Sequence, residues 1–304
     1  MTTLLLGPEN RAAAWREVFA AENEPLITSS ENVARPEEIR YLVCWKPDVS
    51  LDTFPNLEVV VSTGAGVDHL IPLPDHLRLC RTLSRDIEEK VRDWVVMACL
   101  MLCRDMPVYL DQARRGLWNT LPVPSSRDRN IGIMGMGRIG RLAAASLREL
   151  GFSVSGWSRS GTPDDGVEMY GADALPAFLE QSDVLVCLLP LTDSTHGILG
   201  QELFDQLPAG AMLVHAGRGS QLRMDDMRTA LETGQISSAM IDVTDPEPLP
   251  EDHWAWTHDK VIVTPHAAAS TDYRPGAEHA LRVIRAHREG AASLPGEIDL
   301  SRGY

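Results

Sequence analysis

The chain has 304 residues, 44% hydrophobic and 23% charged, with a formal net charge of −15. That length holds two domains of ordinary size, each with its own apolar core, and the composition is that of a soluble globular protein. The negative balance argues against a general affinity for nucleic acid or an anionic membrane, and an anionic substrate would need a local cationic site.

In chain order, Thr2–Pro8 reads as a first strand ending at a turn. It lacks a basic leader, and its apolar run is too short for a signal peptide. No segment approaches membrane-spanning length, so a cytoplasmic protein is expected. Tyr41–Trp45 and Leu57–Val61 read as buried parallel strands. The second runs into Ser62-Thr63-Gly64-Ala65-Gly66-Val67-Asp68, a loop at a strand's C-terminal end, where open α/β sheets place ligands. Ile87–Cys103 has helical periodicity and is largely apolar, as a buried connecting helix would be. Cys99 and Cys103 share its face, but no His or further Cys stands beside them at metal-ligand spacing. The five cysteines (Cys44, Cys80, Cys99, Cys103, Cys187) are therefore expected to be buried thiols in a reducing cytosol, and no metal site is expected. Leu121–Ser126, rich in Pro and Ser, reads as a stiff linker.

The most informative stretch follows. The apolar run Asn130–Met134 ends in Gly135-Met136-Gly137-Arg138-Ile139-Gly140, and a helix-like segment, Arg141–Leu150, comes after it. Strand, tight turn and helix start together expose backbone N–H groups where a pyrophosphate could sit. Gly135 permits the turn, Gly137 admits the phosphates, and Gly140 lets helix and strand pack closely. The next strand, Phe152–Trp157, leads into Ser158-Arg159-Ser160, with no carboxylate to hold a ribose 2′-hydroxyl. A guanidinium flanked by two hydroxyls suits a 2′-phosphate, so NADPH is expected over NADH.

Strand-like runs Val184–Leu188, Ala211–His215, Ser238–Val243 and Val261–Thr264 continue the pattern, with helix-like Ala172–Gln181 and Met224–Thr233 among them. This alternation belongs to a doubly wound parallel sheet. Leu189 and Pro190 would form an apolar rim for the adenosine side. The last helix, Tyr273–Glu289, comes after that sheet should be complete, and so is expected to return to the first domain. The expected division is a discontinuous substrate domain, 1–97 with 273–304, and a dinucleotide-binding domain, 98–272.

Three signatures lie at or just beyond strand C-terminal ends: His215-Ala216-Gly217-Arg218-Gly219, Asp242-Val243-Thr244-Asp245-Pro246-Glu247-Pro248-Leu249, and Val263-Thr264-Pro265-His266. Each has a bland reading taken alone, as a surface arginine, a solvated turn carboxylate or a satisfied loop histidine. Together they supply a cation, a carboxylate and an imidazole downstream of a dinucleotide loop.

The order glycine loop, Arg-Gly, Asp-Val-x-x-x-Glu-Pro-Leu, Thr-Pro-His resembles the D-isomer-specific 2-hydroxyacid dehydrogenase family over essentially the whole chain. Trp157-Ser158-Arg159-Ser160, Arg104-Asp105-Met106-Pro107 and Glu247-Pro248-Leu249-Pro250 are similar to its glyoxylate/hydroxypyruvate reductase branch. The resemblance implies two doubly wound parallel-sheet domains, a Rossmann nucleotide-binding domain inserted in a flavodoxin-like substrate domain. It also implies an NADPH-preferring reductase of small 2-oxo acids and a homodimer. By matching motif, Arg218 would bind the substrate, His266 would be the acid/base and Glu247 its partner. Gly64, Ala65, Gly66 and Val67 would offer N–H groups to the substrate carboxylate, and Trp45 would line the pocket unless it is a core residue. Cofactor contacts would come from Gly135, Met136, Gly137, Arg138, Ile139, Ser158, Arg159, Ser160, Leu189, Pro190, Ala216, Gly217, Arg218, Asp242 and His266, with Asp242 near the nicotinamide carboxamide. The family commonly has Asn in place of His215, and Ala is frequent where Gly217 stands. His215 would thus bring a titratable ring near the crevice. Trp118 would either cross a dimer interface or anchor a core.

Two other readings stay open on the sequence. One is a dehydrogenase of the same architecture acting on D-lactate, phosphoglycerate or a bulkier 2-oxo acid, with NAD possible as cofactor. The other is a nucleotide-sensing corepressor, for which a recruitment surface or disordered tails would be needed.

Overall fold

The computed structural model describes residues 2–270 and 272–300. Its first elements are β1 (Thr2–Leu6), α1 (Glu9–Ala21), β2 (Leu26–Ile27), β3 (Ile39–Cys44), β4 (Val59–Ser62) and β5 (Arg78–Cys80). Then come α2 (Arg85–Cys103), α3 (Met106–Arg114), β6 (Asn130–Met134), α4 (Arg138–Glu149), β7 (Ser153–Trp157), β8 (Glu168–Tyr170), α5 (Leu175–Leu179) and β9 (Val184–Cys187). The chain continues through α6 (Gln201–Phe204), β10 (Ala211–His215), α7 (Met224–Thr233), β11 (Ile236–Ile241), β12 (Val261–Val263) and α8 (Tyr273–Arg288).

Two compact units result, Met1–Ile87 with Ser270–Tyr304, and Glu88–Ala269. The first division falls before the expected 97/98 because α2 spends its apolar face on the second unit. Trp94, Val95, Ala98, Cys99 and Leu102 pack there with Ile131, Ile133 and Val186. Leu121–Ser126, read as a linker, lies inside that unit.

The first unit's sheet has the order β2-β1-β3-β4-β5, all parallel. Its central strands are buried on both faces, as a covered parallel sheet requires. The period of two divides them: Leu5, Tyr41, Val43, Val59 and Val61 meet α1 and α8, while Leu4, Leu42, Cys44 and Val60 meet Phe54, Leu57, Leu70 and Ile298. α1 was not anticipated; it buries Ala12, Trp15, Val18 and Phe19 along one stripe.

The second unit's sheet has the order β12-β11-β10-β9-β6-β7-β8, again all parallel. The strand order reverses between β6 and β9, the switch point where such sheets bind nucleotides. One face packs on α2 and α4, through Ala143, Ala144 and Leu147, and the other on α5, α6 and α7. All five cysteines are free and buried. Among the described residues no helix is long and apolar enough to cross a membrane, and no cluster suited to a metal ion is found.

Candidate active site

The glycine loop lies at the switch point. Gly135 has φ +107°, and its N–H donates to Trp157 O at 2.9 Å, turning the chain sharply out of β6. A Cβ at Gly140 would stand 2.2 Å from Gly135 O, so helix and loop touch only because that position is bare. A Cβ at Gly137 would meet nothing within 4 Å, and no side chain caps α4 at this residue. The first N–H groups of a twelve-residue helix thus open onto free space, and a phosphate fits there. The helix begins at Arg138 rather than Arg141, which places Gly140 in its first turn.

The other expected cofactor residues divide. Met136 is 5% exposed and its side chain packs on Gly156, so only its main chain is left for a ligand. Arg138 pairs with Glu88 through Nε–Oε1 at 2.5 Å and Nη2–Oε2 at 3.3 Å. Ile139 and Ala216 are half-buried. Arg159 and Ser160 are exposed beyond β7 beside half-buried Ser158, and Ser160 Oγ bonds Thr162 Oγ1 at 2.7 Å. The side chain of Leu189 belongs to the core, and Thr195 Oγ1 donates to Pro190 O at 2.7 Å.

Asp242 is tied into the loop after β12. Its Oδ1 accepts from Thr264 Oγ1 at 2.5 Å and Ala267 N at 2.8 Å, while Oδ2 accepts from Ala268 N at 2.9 Å. Most of this buried carboxylate's acceptor capacity is spent on its own surroundings. The effect is to hold the loop after β12, where His266 sits at φ +50°, a left-handed conformation rare outside glycine. His266 N donates to Asp242 O at 2.8 Å, and Trp94 Nε1 braces Thr264 Oγ1 at 3.2 Å.

So presented, His266 places Nδ1 3.0 Å from Glu247 Oε2, with both side chains about 40% exposed. Glu247 is held in turn, its Oε1 accepting from Thr244 N at 3.1 Å. The Arg218 loop abuts this turn: a Cβ on Gly219 would lie 1.9 Å from Thr244 O, and Ser220 Oγ bonds Asp245 Oδ2 at 2.5 Å. Arg218 is half-buried, and its Nη1 donates to Gly217 O at 2.7 Å.

His215 is not the titrating ring expected. It is fully buried, and burial pushes its pKa down to about 4 against the raising effect of the Arg218 and Cys187 carbonyls. It stays neutral near pH 7 and bonds Arg218 O at 2.9 Å.

In the first unit, Trp45 is 42% exposed, so it is not a core residue; it stacks on His69 with ring centroids 3.7 Å apart. A Cβ at Gly64 would meet this indole at 2.8 Å. Gly64 N donates to Ser62 Oγ at 3.2 Å, and Ser62 Oγ donates to Gly66 O at 2.7 Å. Val67 is 4% exposed, which leaves only its main chain for a ligand; half-buried Ala65 and Gly66 complete the loop.

Residues 96–268 match the family model described as "D-isomer specific 2-hydroxyacid dehydrogenase, NAD binding domain". The chain belongs to the D-isomer specific 2-hydroxyacid dehydrogenase family. It is 36% identical over 273 residues, 87% of each chain, to the glyoxylate/hydroxypyruvate reductase A of Salmonella paratyphi B. Among solved structures it is similar to the NADPH-dependent glyoxylate/hydroxypyruvate reductase of Sinorhizobium meliloti in complex with NADP and sulfate, with a TM-score of 0.93, 36% identity and 100% of both chains covered. A D-isomer specific 2-hydroxyacid dehydrogenase from Xanthobacter autotrophicus Py2, in complex with NADPH and MES, matches with a TM-score of 0.92 and 31% identity over 100% of this chain and 99% of that one. In this 2-hydroxyacid dehydrogenase, sequence reasoning missed Thr244, Thr264 and Gln221, the polar groups that hold Glu247, Asp242 and Arg218. Thr264 and Thr244 stood inside motifs already noted. Gln221 carried one available signal, its position three residues after Arg218.

Proposed function

We propose that this enzyme reduces small 2-oxo acids, glyoxylate and hydroxypyruvate foremost, to 2-hydroxy acids, with NADPH as the preferred reductant. The observation that carries the reading is the His266–Glu247 pair at 3.0 Å beside the arginine loop of a dinucleotide-binding sheet. The relatives named for NADPH-dependent glyoxylate/hydroxypyruvate reduction support the substrate class and the cofactor.

NADPH, when bound, supplies the hydride to C2 of the oxo acid. The α4 N-terminus at Gly137 and Arg138 would hold the pyrophosphate, and Arg159 with Ser158 and Ser160 would hold the 2′-phosphate. Arg138 reaches a phosphate only by sharing or leaving Glu88, so its main chain is the better assigned donor. Asp242 acts on the cofactor side by holding the loop after β12.

Arg218 grips the substrate carboxylate and carbonyl oxygen through its planar fork. As negative charge grows on that oxygen, the guanidinium stabilises it. His266 donates Nδ1–H to Glu247, which leaves Nε2 as the atom that delivers the proton to the carbonyl oxygen. In the first unit, the loop after β4 offers main-chain N–H groups to an anion from Ala65 onward, Gly64 N being engaged by Ser62, and Trp45 stands against Gly64.

We also assign a homodimer in the cytoplasm. Trp118, 99% exposed, is not a core anchor; with Leu117 at 48% and Val123 at 49% it forms an apolar arm suited to a second copy. Buried free thiols suit a reducing compartment.

Following NADPH absorbance with glyoxylate, hydroxypyruvate, pyruvate and phenylpyruvate tests the assignment. The reading requires the highest kcat/KM with glyoxylate and hydroxypyruvate. A preference for phenylpyruvate would move the enzyme to the bulky-substrate alternative.

A further inference from the structure

Arg218 is fixed by its main chain as well as by its side chain. Its N–H donates to Gln221 Oε1 at 2.8 Å, and its carbonyl faces His215 Nε2 at 2.9 Å. A carbonyl can only accept, so the ring proton resides on Nε2. Gln221 and His215 are both 0% exposed. The amide of Gln221 is used at both ends: Nε2 donates to Leu189 O at 3.2 Å and Pro190 O at 3.0 Å. Three partners of fixed polarity leave the amide one orientation. Gln221 is the third residue of a short 3₁₀ turn capped by Arg218, and its reach back to the cap N–H is half of a capping box.

Gly217 belongs to the same arrangement. A Cβ there would stand 2.2 Å from Gln221 Oε1, 3.1 Å from Leu189 O and 3.3 Å from His215 Cε1. Alanine at 217 therefore cannot coexist with Gln221 in this place.

We propose that His215, Gly217 and Gln221 act as one buried clamp that positions Arg218 for the substrate and ties it to the turn after β9. The proposal rests on Arg218 being the substrate-binding arginine. These are positioning residues, touching neither substrate nor reacting atoms. Their effect on rate passes through the guanidinium, whose anchor point they set at both peptide bonds. A misplacement on the order of 1 Å at such a group costs roughly 100-fold.

The experiment is a four-protein cycle of wild type, Gln221→Met, Arg218→Ala and the double variant, with glyoxylate and NADPH and with melting temperatures recorded. Gln221→Met keeps the bulk and removes every hydrogen bond of the amide. It should lower kcat/KM by about 10- to 100-fold in the wild-type background. With Arg218 already removed it should lower it no further, because nothing is left to position. An equal loss in both backgrounds, or no loss in the wild type, overturns the clamp. Near-normal activity of Arg218→Ala alone instead overturns the assignment of the arginine. If Gln221→Met does not fold, Gly217→Ala serves in its place, since it removes no hydrogen-bonding group and displaces Gln221 by contact alone; the same two outcomes decide.

Discussion

His266 and Glu247 meet through Nδ1 and Oε2 at 3.0 Å, and the histidine holds this position on a left-handed backbone anchored by Asp242. Two hydrogen-bonded layers orient this ring, Glu247 at Nδ1 and the buried Asp242 carboxylate beneath the loop, and Nε2 is the nitrogen we propose as the proton donor.

Removing the first layer has a defined cost. In Glu247→Ala, Nδ1–H loses its acceptor and the ring its orientation. Steady-state kinetics should show kcat reduced by part of the ~10²–10⁴-fold that a general acid contributes. The KM for NADPH should move little, because the role proposed for Glu247 is to orient the proton donor and not to hold the cofactor. A selective loss of NADPH binding would point to a different role.

Arg159→Ala tests the cofactor assignment. A charged hydrogen-bond partner contributes about 1.5–3 kcal/mol, so NADPH should bind roughly 10- to 150-fold more weakly. NADH, which has no 2′-phosphate, should bind as before. Fluorescence titration of both cofactors measures this, and equal weakening of the two would remove Arg159 from the 2′-phosphate.

Acid should destabilise the fold through two buried histidines. Burial pushes His215 and His279 from an ordinary 6.5 down to about 4. A depressed folded-state pKa means the unfolded chain binds the proton first. Each histidine's contribution, up to about 3 kcal/mol, is thus complete above pH ~6.5 and is lost as pH falls towards ~4. His279 belongs to α8 and is 1% exposed, so His279→Leu isolates the effect. Urea midpoints for this variant should fall less steeply than wild type between those pH values, and parallel curves would contradict the account.

The dimer assignment predicts that Trp118→Lys shifts the protein towards monomer in light scattering at micromolar concentration. A wild-type protein already monomeric at that concentration, or a variant with unchanged mass, would show that the arm serves another purpose.

The sequence was most legible at strand C-terminal ends. There the strands are short apolar runs, and the chemistry-bearing residues follow them directly: Gly135 after β6, Arg218 after β10, His266 after β12. Elements without a sharp pattern were missed. The buried stripe of α1 is interleaved with Glu9, Arg11, Arg16 and Glu17, and α3 hides behind Pro107, which a first helical turn tolerates. The supporting contacts were the least readable. Arg138 and Glu88 are fifty residues apart, and the Gln221–Pro190 bond spans thirty-one. Such pairings follow from strand order, not from local spacing. His215 shows the same limit: its position at a strand end suggested a ring beside the crevice, whereas its side chain turns into the protein to hold a carbonyl.

The most direct test of the central claim is the rate of NADPH oxidation with glyoxylate at neutral pH for wild type and His266→Ala. The account predicts ready turnover by the wild type and a kcat lower by ~10²–10⁴-fold in the variant. A variant that turns over at nearly the wild-type rate would contradict it, because the proton would then come from some other group.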